Sequence, residues 1–275
     1  MSATLDSEKI SHYFGGCPVI HVPGRTFPVD VKYLEDAVEL TQWSITEFSP
    51  YAKRLNDKFF RGKTAQEWSE DTAGVNLSDH DDETTPSSVK LSETRYSPRT
   101  ASTINLLDER VIPYDLIMRL LDHICFKAYT KYSAAILVFL PGIGEIRRLN
   151  DLLAEHASFG SSHDFIIYPL HSSISSENQS AVFEVPPPGV RKIVLATNIA
   201  ETGITIPDIT CVIDSGKHKE MRFDEKRQFS RLVETYVAKS NATQRRGRSG
   251  RVQDGLCFHL FTKIRHDTQT QRSCD

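Results

Sequence analysis

The sequence predicts an α/β fold built on a doubly wound parallel sheet, and three observations support this prediction. Residues 134–140 form a continuous apolar run, which is typical of a strand buried on both faces of a parallel sheet. Further apolar runs follow at 165–170, 192–196 and 210–214, and segments of helical length lie between them. This alternation indicates right-handed βαβ units. In such sheets, ligands bind beyond the carboxyl ends of the strands.

The N-terminal part predicts short elements and one long insertion. Residues 10–14 predict a short helix that ends at a pair of glycines, and residues 18–22 predict a strand. Residues 31–43 mix acidic and apolar side chains and fit a strand followed by a helix. Between residues 53 and 102 the periodicity is lost and Ser, Thr, Asp, Glu, Gly and Pro accumulate, which predicts a mobile, acidic insertion.

The C-terminal part predicts the elements that surround the four strands. Helical spacing of apolar residues appears at 115–129 and at 143–154, and a polar helix is expected after residues 171–173, through Phe183. Residues 219–238 alternate in the manner of two strands joined by a turn, so a β-hairpin is expected there. Residues 258–261 predict the closing strand.

Composition limits the class of function. The net charge of −3 argues against a uniformly basic nucleic-acid-binding protein. The charge is uneven, however, because residues 190–251 hold 13 Lys and Arg against 7 Asp and Glu, whereas residues 67–93 are strongly acidic. The five cysteines are widely spaced without a metal-binding pattern, which favours reduced thiols in an intracellular protein. No apolar run has the length of a membrane span.

Residues 244–251, which read Gln-Arg-Arg-Gly-Arg-Ser-Gly-Arg, carry the strongest chemical signal. Arginine presents a planar fork that binds two phosphate oxygens at once. If Thr243 caps a helix, Arg245, Arg248 and Arg251 project from one helical face at a spacing of three residues. This pattern predicts a polyphosphate site. The alternative is a plain basic patch for nucleic acid or a solvated run of charge.

Two further stretches give this octet a context. Residues 136–142 read Ile-Leu-Val-Phe-Leu-Pro-Gly, and residues 196–206 read Ala-Thr-Asn-Ile-Ala-Glu-Thr-Gly-Ile-Thr-Ile. In this order, the three blocks resemble motifs IV, V and VI of the second RecA-like domain of DEAH-box RNA helicases, within the P-loop NTPase superfamily. Residues 2–4, Ser-Ala-Thr, resemble motif III, which lies inside the first RecA-like domain of that family.

The resemblance implies a division of the chain. Residues 1–29 are expected to be the end of a first RecA-like domain with its exit strand, and residues 30–102 a linker that holds the acidic insertion. Residues 103–265 are expected to be the second RecA-like, helicase C-terminal domain, with the β-hairpin after motif V. Residues 266–275 are expected to be a polar tail.

For ATP, the resemblance implies roles for named side chains. Arg248 and Arg251 are expected to be arginine fingers on the β- and γ-phosphates, and Gln244 is expected to position the attacking water. These three are the expected catalytic residues, since phosphoryl transfer places charge on equatorial oxygens that fixed cations stabilise. Five more residues are expected to bind ATP or couple its hydrolysis: Ser2, Thr4, Thr205, Asp208 and Arg245, the last through carboxylate contacts.

For RNA, the resemblance implies contacts at strand ends. The expected RNA-binding residues are Gly142, His171, Ser172, Thr197 and Asn198. Such contacts to the RNA backbone position a strand and carry no sequence information. For Thr197 alone, a helix N-cap is an equally good interpretation. Lys217 stands where many family members place an aromatic residue that stacks on adenine, which implies weak selectivity for the nucleobase.

Two motifs of the family do not occur in this chain. The sequence contains neither Gly-x-x-x-x-Gly-Lys-Ser/Thr nor Asp-Glu-x-His, so we expect the ligands of Mg²⁺ in a first domain outside it. The chain by itself is therefore predicted to be inactive as an ATPase. The alternative to a helicase part that uses ATP and Mg²⁺ is a non-catalytic RNA-binding or regulatory fragment.

Details of motif V point to one branch of the family. Gly203 stands where splicing helicases usually have serine, and residues 186–194 and 232–235 share features of the RNA helicase A-like branch. Within that branch the chain is most similar to a member that acts in translation initiation. The resemblance therefore implies a cytoplasmic location, with RNA, ATP and possible contacts to the ribosome or initiation factors as partners, and no membrane.

Overall fold

The computed structural model describes residues 7–20, 27–53, 95–161, 163–172, 180–224 and 228–268. The chain divides into two compact units, one formed by residues 1–37 and 114–275 and the other by residues 38–113.

The first unit contains a six-stranded parallel sheet. Its strands are β1 (Val29–Lys32), β2 (Ala135–Phe139), β3 (Phe165–Leu170), β4 (Arg191–Ala196), β5 (Cys211–Asp214) and β8 (Gly255–His259). They lie in the order β1-β8-β5-β2-β4-β3, and every neighbouring pair is parallel. The predicted doubly wound parallel sheet is confirmed. β2 lies in the interior of the sheet and is fully buried, as its continuous apolar run predicts.

Helices connect these strands. Among the described residues of this unit the helices are α1 (Ser7–Tyr13), α4 (Tyr114–Phe126), α5 (Ile143–Glu155), α6 (Ile199–Thr202), α7 (Lys239–Arg246) and α8 (Lys263–Thr268), and α2 (Leu34–Thr41) begins in it. The expected helices at 115–129 and 143–154 are α4 and α5. The apolar stripe of α4 is buried along its length, which is the reason this segment is helical in the context of the sheet.

A two-stranded sheet follows β5. β6 (Lys217–Asp224) pairs antiparallel with β7 (Phe229–Tyr236), in a register that runs from Lys217 opposite Tyr236 to Asp224 opposite Phe229. The hairpin expected at 219–238 is confirmed. Its apolar side chains Met221, Phe223 and Leu232 are more than half exposed.

The second unit is described at residues 38–53 and 95–113. Its helix α3 (Pro98–Leu106) has proline in its first turn, and its N-cap Ser97 accepts a hydrogen bond from the amide of Thr100. The carboxylate of Glu39 accepts hydrogen bonds from Ser97 and Thr100. These bonds, that of the Thr100 hydroxyl first, lower the pKa of Glu39. The last residues of the predicted insertion, 98–102, are therefore helical.

Other expectations differ from the structure. Residues 17–20 form no strand, and the rest of the strand expected at 18–22 lies outside the described residues. In the segment 171–183, a short 3₁₀ turn covers Ala181–Phe183, and residues 173–179 are not among those described. The acidic stretch at 67–93 also lies outside the described ranges.

Candidate functional site

Three neighbouring strands end together at one edge of the sheet. Ala196, at the end of β4, pairs in register with Phe139 of β2 on one side and with Leu170 of β3 on the other. The residues expected to bind RNA follow these three strand ends: Gly142, His171, Ser172, Thr197 and Asn198. The topology therefore gathers side chains that are far apart in the sequence along one edge.

These residues differ in exposure. Asn198 and Ser172 are exposed, His171 is half-buried, and Thr197 and Gly142 are buried. Asn198, and not Thr197, holds the N-cap position of α6, and its side chain makes no capping hydrogen bond. The interpretation of Thr197 as the N-cap is therefore wrong. Its carbonyl oxygen accepts a hydrogen bond from the amide of Ala200.

Arg245 joins the second and third motif blocks inside the protein. It is fully buried, and its Nε donates to Oε2 of Glu201 at 3.0 Å while Nη1 donates to Oδ1 of Asp214 at 2.8 Å. The same Nη1 donates to the carbonyl oxygen of Lys217, and the guanidinium lies 4.8 Å from the ring centroid of Phe139. Glu201 also accepts a hydrogen bond from Asn241. This arrangement fixes motif VI against motif V and the ends of β2 and β5.

Asp214 is the buried centre of this network. Burial alone would raise its pKa, but Arg245 and a hydrogen bond from His259 hold the pKa of this carboxyl group well below its usual range. Oδ2 of Asp214 lies 3.1 Å from Nδ1 of His259, which is itself buried. Asp214 is therefore ionised at neutral pH and neutralises the charge of Arg245.

The two outer arginines of the octet lie on the loop of motif V. Nη1 of Arg248 donates to the carbonyl oxygen of Ile204 at 2.9 Å, and Nη2 donates to that of Glu201. Arg251 is exposed, and its Nη1 lies 3.3 Å from the hydroxyl oxygen of Thr205. Burial, followed by the nearby charge of Arg251, lowers the pKa of Arg248. In the described part of the chain, neither guanidinium forms an ion pair with a carboxylate.

Within the described ranges, four buried polar side-chain atoms make no hydrogen bond, and three of them belong to the octet: Oε1 of Gln244, Nη2 of Arg245 and Nε of Arg248. The fourth is Oγ of Ser215. An unsatisfied buried polar atom is destabilising and often marks a position where a ligand or an ordered water binds. A donor and an acceptor left open beside two unneutralised guanidiniums fit a polyphosphate and the water that attacks it.

The helix in this region begins earlier than expected. α7 starts after Ala238 and ends at Arg246, so Thr243 lies inside it and does not cap it. The predicted single helical face with Arg245, Arg248 and Arg251 is wrong, because of these three only Arg245 lies in the helix. Gly250, near the end of the octet, packs closely against the segment that leads into β1. A Cβ built on it would lie 2.7 Å from the carbonyl oxygen of Phe27, so only glycine fits there.

Asp208 contacts a residue that the sequence analysis did not single out. Its Oδ1 accepts a hydrogen bond of 2.6 Å from Nζ of Lys192, a lysine that is completely buried in β4. The same Nζ donates to the carbonyl oxygens of Val182 and Glu184 at 3.0 Å each, so all three ammonium hydrogens have partners. Asp208 thus anchors the end of the motif V loop to β4. The feature of the sequence that could have indicated this contact is a lysine at the start of an apolar strand.

Lys217 is turned away from solvent. Its side chain is 4% exposed, and its Nζ lies 3.2 Å from Oε1 of Glu234 and 5.7 Å from the ring centroid of Tyr236. A side chain held in this way does not present a surface on which a nucleobase can stack.

Two of the expected ATP-site residues, Ser2 and Thr4, lie outside the described residues. Within the ranges that are described, no group of three or more His, Cys, Asp and Glu side chains could hold a metal ion. No helix in those ranges is long and apolar enough to cross a membrane.

Comparison with known proteins gives three findings. Residues 115–253 match the family described as helicase conserved C-terminal domain. DHX57 of Homo sapiens is 42% identical over 287 residues, covering 98% of this chain and 21% of that protein. The ATP-dependent RNA helicase dhx29 of Xenopus laevis is 40% identical over 280 residues, covering 98% of this chain and 20% of that protein. The chain thus spans about a fifth of the length of these relatives.

A solved structure agrees with the sequence relatives. The DEAH/RHA helicase HrpB of Escherichia coli aligns over 100% of this chain and 25% of its own, with a TM-score of 0.62 and 26% sequence identity. The six-stranded parallel sheet described above is therefore the RecA-like sheet of a helicase C-terminal domain.

Proposed function

Because this chain belongs to the helicase conserved C-terminal domain family, with DEAH/RHA-type helicases as its relatives, we propose that it supplies the second-domain half of an ATP-dependent RNA helicase. The observation that carries the proposal is the pair Arg248 and Arg251. Both contact the motif V loop, and in the described residues neither forms an ion pair with a carboxylate.

The ATP half-site would consist of these two guanidiniums and Gln244. Arg251 is exposed and free to reach the γ-phosphate, while the open Nε of Arg248 gives a second cation for the phosphate oxygens. The open Oε1 of Gln244 would accept a hydrogen bond from the attacking water and orient it. When bound with ATP, Mg²⁺ neutralises phosphate charge; its ligands are expected in a first RecA-like domain.

The RNA half-site would lie along the edge where β2, β4 and β3 end. The amides and hydroxyls of Thr197, Asn198, His171 and Ser172 suit the sugar-phosphate backbone, so binding would be independent of sequence. Motif V then serves both ligands, because Thr197 stands at its start and Thr205 near its end touches Arg251. Arg245 of motif VI, which is bound by Glu201 of motif V, would transmit movement between the two half-sites.

A paired measurement in a complete protein that includes the first domain tests this function. Arg251→Ala should lower ATP turnover about a thousandfold, the usual effect of removing an arginine finger, and should leave RNA affinity without nucleotide unchanged. Thr197→Ala should weaken RNA binding and RNA-stimulated turnover but spare basal turnover. If Arg251→Ala instead lost RNA affinity and kept full turnover, the octet would be a nucleic-acid patch.

The chain by itself is proposed to release no phosphate from ATP, because the phosphate-cradling lysine and the Mg²⁺ ligands of the family do not occur in its sequence. A sensitive phosphate assay of the 275-residue chain measures this. Release above a buffer blank that Arg251→Ala abolishes would overturn it.

The finer assignment is a role in translation initiation in the cytoplasm, with the ribosome and initiation factors as partners. Its support is the pattern of residues 186–194, 203 and 232–235 and the similarity to dhx29, although DHX57 is similar to the same degree. Sedimentation of the complete protein with small ribosomal subunits tests it, and sedimentation apart from them would remove this assignment.

A further inference from the structure

An ion pair lies directly over Gly142. Nζ of Lys219, in β6, is 3.0 and 2.9 Å from the two carboxylate oxygens of Glu145, in the first turn of α5. A Cβ built on Gly142 would lie 2.8 Å from that Nζ and 2.9 Å from Oε2 of Glu145. The backbone of Gly142 is extended, with φ of −166° and ψ of 178°, a conformation open to any residue. The ends of the Lys219 and Glu145 side chains therefore occupy the space that the absent side chain of Gly142 leaves open.

The position of Lys219 follows from the order of the strands. Phe139 at the end of β2 pairs with Ala196 of β4 on one side and with Asp214 of β5 on the other. β6 begins three residues after Asp214, so Lys219 reaches the end of β2 from the side opposite to Thr197. The ammonium group thus extends the row of strand-end residues toward β5 and adds the charge that this row otherwise lacks.

The partner of Lys219 holds it loosely. The side chains of Lys219 and Glu145 are 28% and 22% exposed, and partly exposed ion pairs contribute little net free energy. Lys217, two residues earlier on the same strand, is 4% exposed and bound within the protein. Of these two lysines, Lys219 is the one that can exchange its carboxylate for another anion at small cost.

Building on the proposed function, we propose that Lys219 binds a backbone phosphate of single-stranded RNA beside Gly142, and that Glu145 occupies the ammonium when RNA is absent. Gly142 then leaves room for the phosphate because it has no side chain, and Lys219 makes the contact. An ATP phosphate is the less suitable ligand, because the guanidiniums expected to bind it lie on the Ile204 and Thr205 end of the motif V loop.

The test compares two substitutions that both break the ion pair but should change the affinity for RNA in opposite directions. Lys219→Met should lower the affinity of the full 275-residue chain for a fluorescein-labelled oligouridine. We expect a loss of about three- to tenfold, and a decrease of about 0.7 in the slope of log affinity against log salt between about 50 and 200 mM KCl, as for one phosphate contact. Lys219→Arg should retain most of the affinity. Glu145→Gln should raise it about two- to threefold, because the competing carboxylate is gone.

A purely structural ion pair would behave differently. It would make Lys219→Met and Glu145→Gln weaken RNA binding together, since either change separates β6 from α5, and that outcome overturns the proposal. Arg222→Met is the matched control, because Arg222 is a 60% exposed arginine on the opposite face of the same strand. It should leave affinity and salt slope unchanged, and an equal loss in this variant would also overturn the assignment to Lys219.

The same titrations separate this inference from the proposed function. If the unmodified chain binds the oligouridine and Thr197→Ala weakens it, while Lys219→Met changes neither affinity nor slope, the function stands and the Lys219 contact is wrong. If the unmodified chain binds no oligouridine at low salt, both are wrong. Competition by ATP against the oligouridine that Lys219→Met removes would assign the lysine to the nucleotide instead.

Discussion

Arg245 and Arg251 belong to the same eight-residue stretch and have opposite environments. Arg245 is completely buried and bound by the carboxylates of Glu201 and Asp214, whereas Arg251 is exposed and touches one hydroxyl group. A buried guanidinium needs compensation for its desolvation, and an exposed one does not. The arginines of one short run can therefore have different roles: one holds the site together, and another is left open for a ligand.

Substitution of these two arginines should change the stability of the fold to very different degrees. Arg245→Met should lower the free energy of unfolding by about 3–5 kcal/mol, because it leaves Glu201 and Asp214 buried without their counter-charge. Arg251→Met should change it by less than about 0.5 kcal/mol, as for an ordinary surface position. Urea unfolding of the chain measures both. Equal losses in the two variants would mean that Arg251 is also structural.

A second buried cation extends the comparison. Lys192 has three hydrogen-bond partners, as Arg245 does, and only Asp208 among them is charged. A double-mutant cycle with Lys192→Met and Asp208→Asn should give a coupling free energy of about 1–3 kcal/mol, as for residues in direct contact. The value should be measured from unfolding free energies. A coupling near zero would show that the two main-chain carbonyls, and not Asp208, hold the lysine.

The decrease of the unfolding free energy at acid pH tests whether Arg245 is held by the ionised form of Asp214. The pKa of Asp214 is lower in the folded state than in the unfolded state, so its contribution is present above the unfolded pKa and is lost as the pH falls below it. Below about pH 4, it should add a slope of up to about 1.4 kcal/mol per pH unit to the unfolding free energy.

Asp214→Asn should remove that part of the slope while Arg245 and His259 remain. Unfolding at a series of pH values between neutrality and the acid transition shows the difference. Glu39→Gln in the other compact unit is the control for a carboxylate whose pKa is lowered by hydroxyl and amide donors rather than by a cation. If the acid slope of Asp214→Asn matched that of the unmodified chain, another carboxylate would be responsible.

The sequence predicted the elements better than the contacts between them. Four strands of the sheet were located from their apolar runs, because burial on both faces of a parallel sheet leaves a continuous local signal. Thr243 is not the cap, because α7 begins after Ala238, whose backbone is extended, and ends at the C-cap Gly247, whose amide donates to the carbonyl oxygens of Arg245 and Thr243. Alanine is not among the residues that favour an N-cap, so local propensity placed the start of the helix too late.

In the candidate site, too, single residues were predicted better than the contacts between them. The octet was singled out from residue type and spacing, whereas the strand-end residues were expected from the resemblance, and the topology places these strand-end residues along one edge. The partner of Asp208 and the position of Lys219 over Gly142 were not predicted, because Lys219 and Glu145 are 74 residues apart and meet only through the order of the strands. Long-range ion pairs of this kind have no local pattern.

The smallest expected effect concerns the exposed side of the comparison. If the ligand is held through Arg248 and Arg251, recognition rests on phosphate groups that all nucleoside triphosphates share. Stacking of a base on an aromatic side chain contributes about 1–3 kcal/mol. The resemblance to the family implies that Lys217 stands at this position, and its Nζ lies 3.2 Å from Oε1 of Glu234. In a complete protein, the KM values for ATP, GTP, CTP and UTP should therefore agree within about threefold, whereas one stacking contact alone corresponds to about tenfold.

Lys217→Phe should introduce differences between purines and pyrimidines without changing the dependence on Arg251. A preference of the unmodified protein for ATP of more than about tenfold would contradict this expectation and indicate a base-binding surface elsewhere.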